Sequence, residues 1–142
     1  MHLKKETERA KELLKQNNLS LVVIKDNEVY TSDKNGVKPV LELLENGNNT
    51  LNNSVAADKV IGGAAAFLFI NGGVAEVYGE ILSEKAVSVL EKAKIPCTYG
   101  TLVPFIKNRR GDDHCPLEKL CLTIESPEEA YEKIKEFLTV RQ

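Results

Sequence analysis

The most constraining feature of this sequence is a run of eleven residues without a charge, from Val60 to Ile70. A helix built from this run has no polar face to offer to water, so it must be enclosed on most sides. Eleven apolar residues are also far fewer than the roughly 20 that are needed to cross a bilayer. The run therefore predicts a buried central helix, around which the rest of the chain is arranged.

The predicted central helix starts upstream of the apolar run. Ser54 is the expected N-cap, and Asp58 lies near enough to the start to be favoured by the positive end of the helix. Gly62 and Gly63 lie inside this helix, where each costs about 1 kcal/mol relative to alanine. We therefore expect another backbone to pack closely against them. The helix is predicted to end at residues 71–73, where two glycines favour a left-handed C-cap.

Turn signals and hydrophobic spacing divide the rest of the chain into short regular elements. They predict a helix over 3–16, a hairpin over 19–32, a short helix over 37–44, an inner strand over 74–81, a helix capped by Ser83, a strand over 95–100, a helix beginning at Pro116, a strand-like run at Ile124 and a closing helix over 127–138. Alternating strands and helices after a hairpin are typical of parallel neighbours with crossover helices. The sequence thus predicts a single α/β domain over residues 1–142, a three-layer α/β/α sandwich with a mixed sheet.

Composition narrows the class of partner. The chain has 142 residues, 42% of them apolar, which is enough for a real core. A net charge of −2 gives no electrostatic reason to bind nucleic acid or an anionic membrane, so a small-molecule or protein partner is favoured. No apolar segment follows the opening residues, and three cysteines at irregular spacing do not form a disulfide framework. These features predict a cytoplasmic protein.

Three segments carry a resemblance to a known family. They are SVAADKVIGGAAA, VAEVYGEILSEKAVSVLEKAKIPC and TLVPFIKNRRGDDHCPLEK. With the order of elements, they resemble a small prokaryotic family of unknown function that is grouped by fold with the cytidine deaminases, and the likeness covers nearly all of the chain. The resemblance implies a cytidine-deaminase-like fold, with helices on both sides of a central sheet and a pocket where the N-termini of two core helices meet.

The resemblance also shows what is missing. Active deaminases place a His-x-Glu or Cys-x-Glu motif at the start of the first core helix and Pro-Cys-x-x-Cys at the start of the second, so that three side chains hold zinc. At the expected first position this sequence has residues 56–58, Ala-Ala-Asp, and at the second it has residues 81–85, Ile-Leu-Ser-Glu-Lys. Because the zinc ligands are absent, we expect no deaminase activity by the zinc mechanism.

Asp58 and Lys59 are the first candidate site residues. If they open the apolar helix, they would face the pocket mouth as a proton carrier and an anion contact. The alternative is a helix start with ordinary solvated charges.

Cys115 is the second candidate. It precedes Pro116, and the positive end of a helix beginning there would lower the pKa of the thiol. The alternative is a partly buried structural thiol. Members of the family that this chain resembles carry a similar Cys-Pro-x-Glu after an Asn-Arg pair. The resemblance therefore implies Asn108, Arg109 and Glu118 as ligand-binding residues beside Cys115.

Metal and cofactor motifs give weaker signals. His114, Cys97, Cys115 and Cys121 could supply zinc ligands, but five residues separate Cys115 from Cys121 and seventeen separate Cys97 from Cys115, which matches no usual zinc spacing. The paired glycines form neither a dinucleotide fingerprint nor a phosphate-binding loop, so no cofactor is predicted.

Three functional hypotheses follow. The first is a deaminase-like domain without zinc that binds a small polar or nucleotide-like metabolite. The second is an enzyme with Cys115 as nucleophile or redox thiol and Asp58 as acid or base, and a zinc protein is a third and weaker alternative. The sequence leaves open whether the chain forms a homodimer, although edges and apolar faces in this fold class often pair with a second subunit.

Overall fold

The computed structural model of the protein describes the backbone of residues 2–140 and the side chains of residues 5–140. The Leu3 side chain, which begins the predicted first helix, lies outside the described residues. In chain order the elements are α1 His2–Gln16, β1 Leu21–Lys25, β2 Glu28–Ser32, α2 Lys38–Glu45, β3 Val55–Ile61, α3 Gly63–Gly72, β4 Glu76–Ser83, α4 Glu84–Lys92, β5 Cys97–Val103, α5 Pro116–Cys121 and α6 Pro127–Val140.

The strands form one mixed five-stranded sheet in the order β2-β1-β3-β4-β5. Strand β1 runs antiparallel to both β2 and β3, whereas β3, β4 and β5 are parallel. Two successive parallel connections in the same direction, each right-handed, place their helices α3 and α4 on the same face of the sheet. The predicted mixed sheet is confirmed.

The two faces of the sheet are covered by different helices. Helix α1 packs on one face, over Val22, Ala57 and Tyr78. The larger core lies on the other face, where α2, α4, α5 and α6 enclose the charge-poor helix α3 and press it against Val23, Ala56 and other strand residues. The predicted three-layer α/β/α architecture is confirmed. Among the described residues, no helix has the length and hydrophobicity that a membrane crossing requires.

The prediction that a helix begins at Ser54 is wrong. Residues 55–61 form strand β3, and α3 begins at Gly63 with Gly62 as its N-cap. The Ser54 hydroxyl donates instead to the carbonyl of Leu51 at 2.7 Å. Because β3 is a central strand with its first residues buried on both faces, its sequence lacks the alternation that marks a half-exposed strand. The predicted left-handed C-cap is confirmed at Gly73, where φ is 78°.

Most of the remaining elements agree with the sequence prediction. The Ser83 hydroxyl accepts a hydrogen bond from the backbone N–H of Ala86 at 3.1 Å and so caps α4 as expected. Pro116 and Pro127 begin α5 and α6. The prediction of a strand-like run at Ile124 is wrong. This residue lies in an irregular segment between α5 and α6, and its N–H donates to the carbonyl of Cys121. Its buried side chain fills the helical layer instead.

Candidate functional site

A cavity of about 230 Å³ lies where the carboxyl end of β3 meets the N-termini of α3 and α5. Its floor is formed by buried residues and its rim by exposed ones. The floor includes Ser20, Asp58, Ala64, Ala65 and Glu118, and the rim includes Asn35, Gly36, Lys59 and Val60. The resemblance implied a pocket between the N-termini of α3 and α4, whereas this cavity lies between those of α3 and α5, and no residue of α4 lines it.

Asp58 is the polar centre of the cavity floor. It lies on β3, directly opposite Leu21 of β1 and Gly79 of β4, and its side chain is on the face covered by α3. The residue is 8% exposed, and its Oδ1 accepts from the backbone N–H of Val60 at 3.3 Å. Among the described residues it has no ion-pair partner. Burial raises the pKa of Asp58 to about 7, against the smaller opposing effect of the backbone N–H groups.

Lys59 is adjacent in sequence but points elsewhere. Successive side chains on a strand lie on opposite faces of the sheet. The Lys59 ammonium accordingly leaves the cavity and donates to the side-chain oxygen of Asn18 at 3.0 Å, after the end of α1. The expectation that both residues open a helix is wrong, because they lie on a strand. Both line the cavity, Asp58 in its floor and Lys59 at its rim. Lys59 contributes to the rim without directing its charge inward.

Glu118 is a buried carboxylate that holds the surrounding elements together. It lies on α5 and is 2% exposed. Its Oε1 accepts from the N–H of Gly63 at 2.7 Å, and its Oε2 accepts from the N–H of Ile106 at 2.7 Å. The Ser83 hydroxyl lies 3.5 Å from Oε1. Both oxygens are therefore engaged, and the chemistry available to Glu118 is that of an anchor at the N-terminus of α3.

The close approach of Glu118 explains the two glycines at the start of α3. A Cβ on Gly62 would lie 2.9 Å from Cγ1 of Ile106 and 3.0 Å from Oε1 of Glu118. A Cβ on Gly63 would lie 2.9 Å from Cγ of Lys85. We expected a backbone to pack against this pair, but side chains of α4, α5 and the preceding segment do so instead.

Cys115 lies at the edge of the same cavity. It is the N-cap residue of α5, it is half-buried, and its N–H donates to the carbonyl of Ile106 at 2.7 Å. This bond closes the base of the loop formed by residues 107–114. The structure therefore brings Asp58, Cys115 and Glu118 to one cavity.

The other residues of this loop do not line the cavity. The Asn108 side-chain oxygen accepts from the N–H of Gly111 at 2.8 Å and so stabilises the turn, while Arg109 is exposed. The His114 ring stacks on Phe105 with centroids 3.9 Å apart. A hydrogen bond from Lys119, 2.6 Å from Asp113, is the main reason that the pKa of this exposed carboxyl falls to about 2.

The site does not fit the zinc of active deaminases. With the helix start corrected, Gly62, Gly63 and Ala64 occupy the beginning of α3, and Ser83 with Glu84 begins α4, so none of the expected His or Cys ligands is present. Among the residues with described side chains, no three His, Cys, Asp or Glu groups are arranged to hold a metal ion. The three cysteines and His114 are not brought together as a ligand set.

Ser20 and Asn35 are cavity residues that sequence reasoning missed. The Ser20 hydroxyl, just before β1, lies 3.0 Å from the side-chain oxygen of Asn35 and 3.3 Å from the carbonyl of Asp33. These bonds hold the loop after β2 at the rim of the cavity. No motif marks either residue, since a polar residue before a strand and an asparagine in a turn are common everywhere.

The fold and the cavity together define a class: a three-layer α/β domain with a mixed sheet and a cavity at the carboxyl end of β3 that, among the described residues, has no set of metal ligands. Residues 9–138 match the family model described as a domain of unknown function, DUF1893. Because this match spans most of the chain, the protein belongs to the DUF1893 family.

A solved structure of the same family agrees with this assignment. A DUF1893 family protein from Thermotoga maritima superimposes with a TM-score of 0.86 and 27% sequence identity, covering 94% of this chain and 90% of that chain. RibD from Acinetobacter baumannii gives a TM-score of 0.47 and 17% identity over 70% of this chain and 36% of that chain, a level of likeness that says nothing about activity. Among curated proteins, none matches this chain in sequence.

Proposed function

We propose that the protein binds a small, uncharged, polar metabolite of about nucleobase size in the cavity beside Asp58. The observation that carries this proposal is a buried carboxyl group that lies in a cavity and has no ion-pair partner among the described residues. Burying a carboxylate without a partner is unfavourable, so a fold that keeps one in a pocket needs a reason. A ligand group that hydrogen-bonds to Asp58 supplies that reason.

The size of the cavity limits the ligand. An engineered apolar cavity of about 150 Å³ holds benzene. The present cavity, at about 230 Å³, has room for one substituted ring or a small bicyclic body. Its position at the carboxyl end of a strand beside a helix N-terminus is also where open α/β sheets usually bind ligands. A nucleotide would fit with its base inside and its phosphates in solvent.

The polar groups of the cavity favour an uncharged ligand with both a donor and an acceptor. Asp58 offers an acceptor when ionised and a donor when protonated, and its pKa near 7 makes both forms accessible. The first N–H groups of a helix lack intrahelical partners, and in α3 Glu118 takes that of Gly63. Ala64 and Ala65 follow it and line the cavity, so their N–H groups are the candidate donors. An amide or nucleobase edge, with C=O beside N–H, matches these groups.

A thermal-shift screen of nucleobases, nucleosides, lactams and small carboxylic acids tests the proposal. Neutral amide-bearing compounds should stabilise the wild type, by mass action with their affinity, and Asp58→Asn should remove or change that preference. Asp26→Asn, an exposed carboxyl-to-amide change in the β1–β2 turn, is the matched control and should respond like wild type. Lys59→Ala should also respond like wild type, because its ammonium points to Asn18. No stabilisation by any neutral compound, or equal stabilisation of Asp58→Asn, would contradict the proposal.

A second candidate function is catalysis by Cys115 with Asp58 as acid or base. The observation that favours it is that both residues line one cavity and that the Cys115 thiol is only half-buried. In this function the ionised Asp58 takes the proton of the Cys115 thiol, and the thiolate adds to a carbonyl carbon of the bound ligand while the C=O π bond opens. The protonated Asp58 then returns the proton to the oxygen that has become negative. Alkylation by iodoacetamide across pH tests it, since an ordinary thiol reacts with a midpoint of about 8.5. A midpoint at or above that value would exclude the cysteine enzyme while leaving the binding function intact.

A further inference from the structure

Strand β5 is an exposed edge strand with no charge and no proline among its own seven residues. It is the last strand of the sheet, so one side of its backbone has no partner strand among the residues that the structure describes. Its five central residues, 98–102, are all exposed. None of its seven residues is charged. Natural proteins usually blunt such edges with charges, prolines or bulges, because unpaired strands recruit other chains.

Apolar side chains extend from this edge onto the neighbouring strand. Tyr99 is 47% exposed and Leu102 is 41% exposed. On β4, Ile81 is 37% exposed. It pairs in register with Thr101 of β5, which lies between Tyr99 and Leu102 in the sequence. The edge therefore offers apolar contact area in addition to backbone hydrogen-bonding groups.

We propose that β5 is the interface of a homodimer, in which two copies pair their β5 strands antiparallel and join the two sheets into one. This inference goes beyond the proposed ligand binding and does not depend on it. Strand β5 carries no charged residue, so its edge can lie against the same edge of a second copy. Two copies therefore meet without like-charge repulsion, which a charged edge would suffer.

The ends of β5 define the register of the pairing. Pro96 and Pro104 lie on either side of the strand and limit the pairing to residues 97–103, whose midpoint is Gly100. A two-fold axis at Gly100 places the residue without a side chain opposite its own copy. Tyr99 then lies opposite the partner's Thr101, and Thr98 lies opposite the partner's Leu102. Aromatic and β-branched cross-strand pairs of this kind are favourable.

A second copy fits this edge better than a head-to-tail arrangement. Pairing of β5 with the other edge strand, β2, would leave a free β5 and a free β2 at the ends of every assembly and so would build open filaments. Strand β2 begins with Glu28, and a charge at the edge disfavours such pairing. The symmetric β5 pair closes after two copies.

Sedimentation of the full chain over a wide concentration range tests the dimer. The wild type should show a reversible monomer–dimer equilibrium, and Leu102→Lys should raise the dimer dissociation constant by about tenfold or more, since each 1.4 kcal/mol of repulsion is a factor of ten. Val29→Lys, at a similarly exposed valine on β2, is the matched control and should leave the equilibrium unchanged. A wild type that stays monomeric at all concentrations would overturn the proposal, as would a dimer that Val29→Lys dissociates as strongly as Leu102→Lys does.

A second variant and a second measurement guard against misfolding. Thr98→Lys should dissociate the dimer as Leu102→Lys does, and circular dichroism should show that the monomeric variants remain folded. In the wild type, the backbone amides of residues 98–102 that point outward should exchange with deuterium more slowly at high protein concentration than at low concentration. Exchange that is independent of concentration in a sample that sediments as a dimer would place the interface elsewhere and overturn the proposal.

Discussion

The side chain of Glu118 and the backbone N–H of Gly63 are joined by a hydrogen bond of 2.7 Å between residues that lie 55 positions apart in the sequence. The second oxygen of Glu118 holds Ile106 in the same way. One carboxylate thereby fixes the start of α3, the start of α5 and the segment after β5. These are the walls of the cavity, so its shape depends on this residue.

Replacing Glu118 should destabilise the protein strongly. Glu118→Ala leaves the buried N–H of Gly63 and the partly buried N–H of Ile106 without acceptors, each at about 1–3 kcal/mol, so we expect a loss of about 2–6 kcal/mol in the free energy of unfolding. Glu118→Gln keeps one acceptor oxygen and should lose less. Urea denaturation measures both values. Glu132→Ala, at an exposed position on α6, is the control and should change stability by less than about 0.5 kcal/mol. Equal stability of Glu118→Ala and wild type would refute the anchoring role.

Asp58 should make the protein less stable as the pH rises. Its pKa is raised in the folded state from 3.8 to about 7, so between these values the folded state binds a proton that the unfolded state has lost. The stabilisation from the neutral form is complete below about pH 4 and is lost as the pH rises through 7. At 1.36 kcal/mol per pH unit the difference is about 4 kcal/mol.

Asp58→Asn isolates this effect from other titrating groups. The variant should match wild type near pH 4 and exceed it in stability at pH 8, because its side chain cannot ionise. Chemical denaturation at a series of pH values gives the difference between the two proteins. The free energy of unfolding of Asp26→Asn should follow that of the wild type at every pH. A wild type that gains stability over Asp58→Asn between pH 4 and 8 would show that the Asp58 carboxylate is paired rather than isolated.

Gly62→Ala should strain the start of α3. The new Cβ would lie 2.9 Å from Cγ1 of Ile106 and 3.0 Å from Oε1 of Glu118, and neither neighbour can move without disturbing a wall of the cavity. Overpacking of this kind costs about 1–3 kcal/mol. Ile106→Ala removes one of the clashing atoms, so the double variant should be more stable than the sum of the two single changes predicts. Strict additivity in this double-mutant cycle would mean that the two positions do not touch.

The three thiols should differ in reactivity. Cys121 is fully buried, and burial raises its pKa to about 12, so it should alkylate far more slowly than the half-buried Cys115. A compound that binds the cavity should slow alkylation of Cys115 and leave that of Cys97 unchanged, because Cys97 does not line the cavity. Mass spectrometry of peptides after timed alkylation gives all three rates. Equal protection of Cys97 and Cys115 would indicate general stabilisation rather than occupancy of the cavity.

The helices whose ends are marked by a capping residue or by glycines are predictable from the sequence, whereas strand β3, which has no such marker at its start, is not. Ser83, followed by an acidic first turn, marked the start of α4, and the glycines before Val74 marked the end of α3. The sequence predicts a helix where strand β3 lies, because the sequence of this strand, VAADKVI, runs directly into the apolar residues of α3. A strand buried on both faces and a buried helix look alike in hydrophobicity, and Gly62 with Gly63 was the boundary between them rather than the interior of one helix.

The cavity was predictable only in part. The sequence marks Asp58 as a candidate because it stands beside an apolar segment. Its side chain enters the cavity because successive side chains of a strand point to opposite faces of the sheet, and not because a helix starts there. The role of Glu118 could not be read from its neighbours, because the groups that it binds come from distant parts of the chain. Ser20 and Asn35 reach the cavity through the antiparallel pairing of β1 with β2, a relationship that no local pattern encodes.

The most direct test of this account is the titration of Asp58 itself, followed by carbon NMR of its carboxyl group in the free protein. An isolated carboxyl buried in the cavity floor should titrate with a midpoint near 7, and an uncharged ligand that accepts a hydrogen bond from its protonated form should raise that midpoint further. A midpoint near 4, the ordinary value for a solvated aspartate, would contradict the central claim that the cavity encloses an unpaired acid.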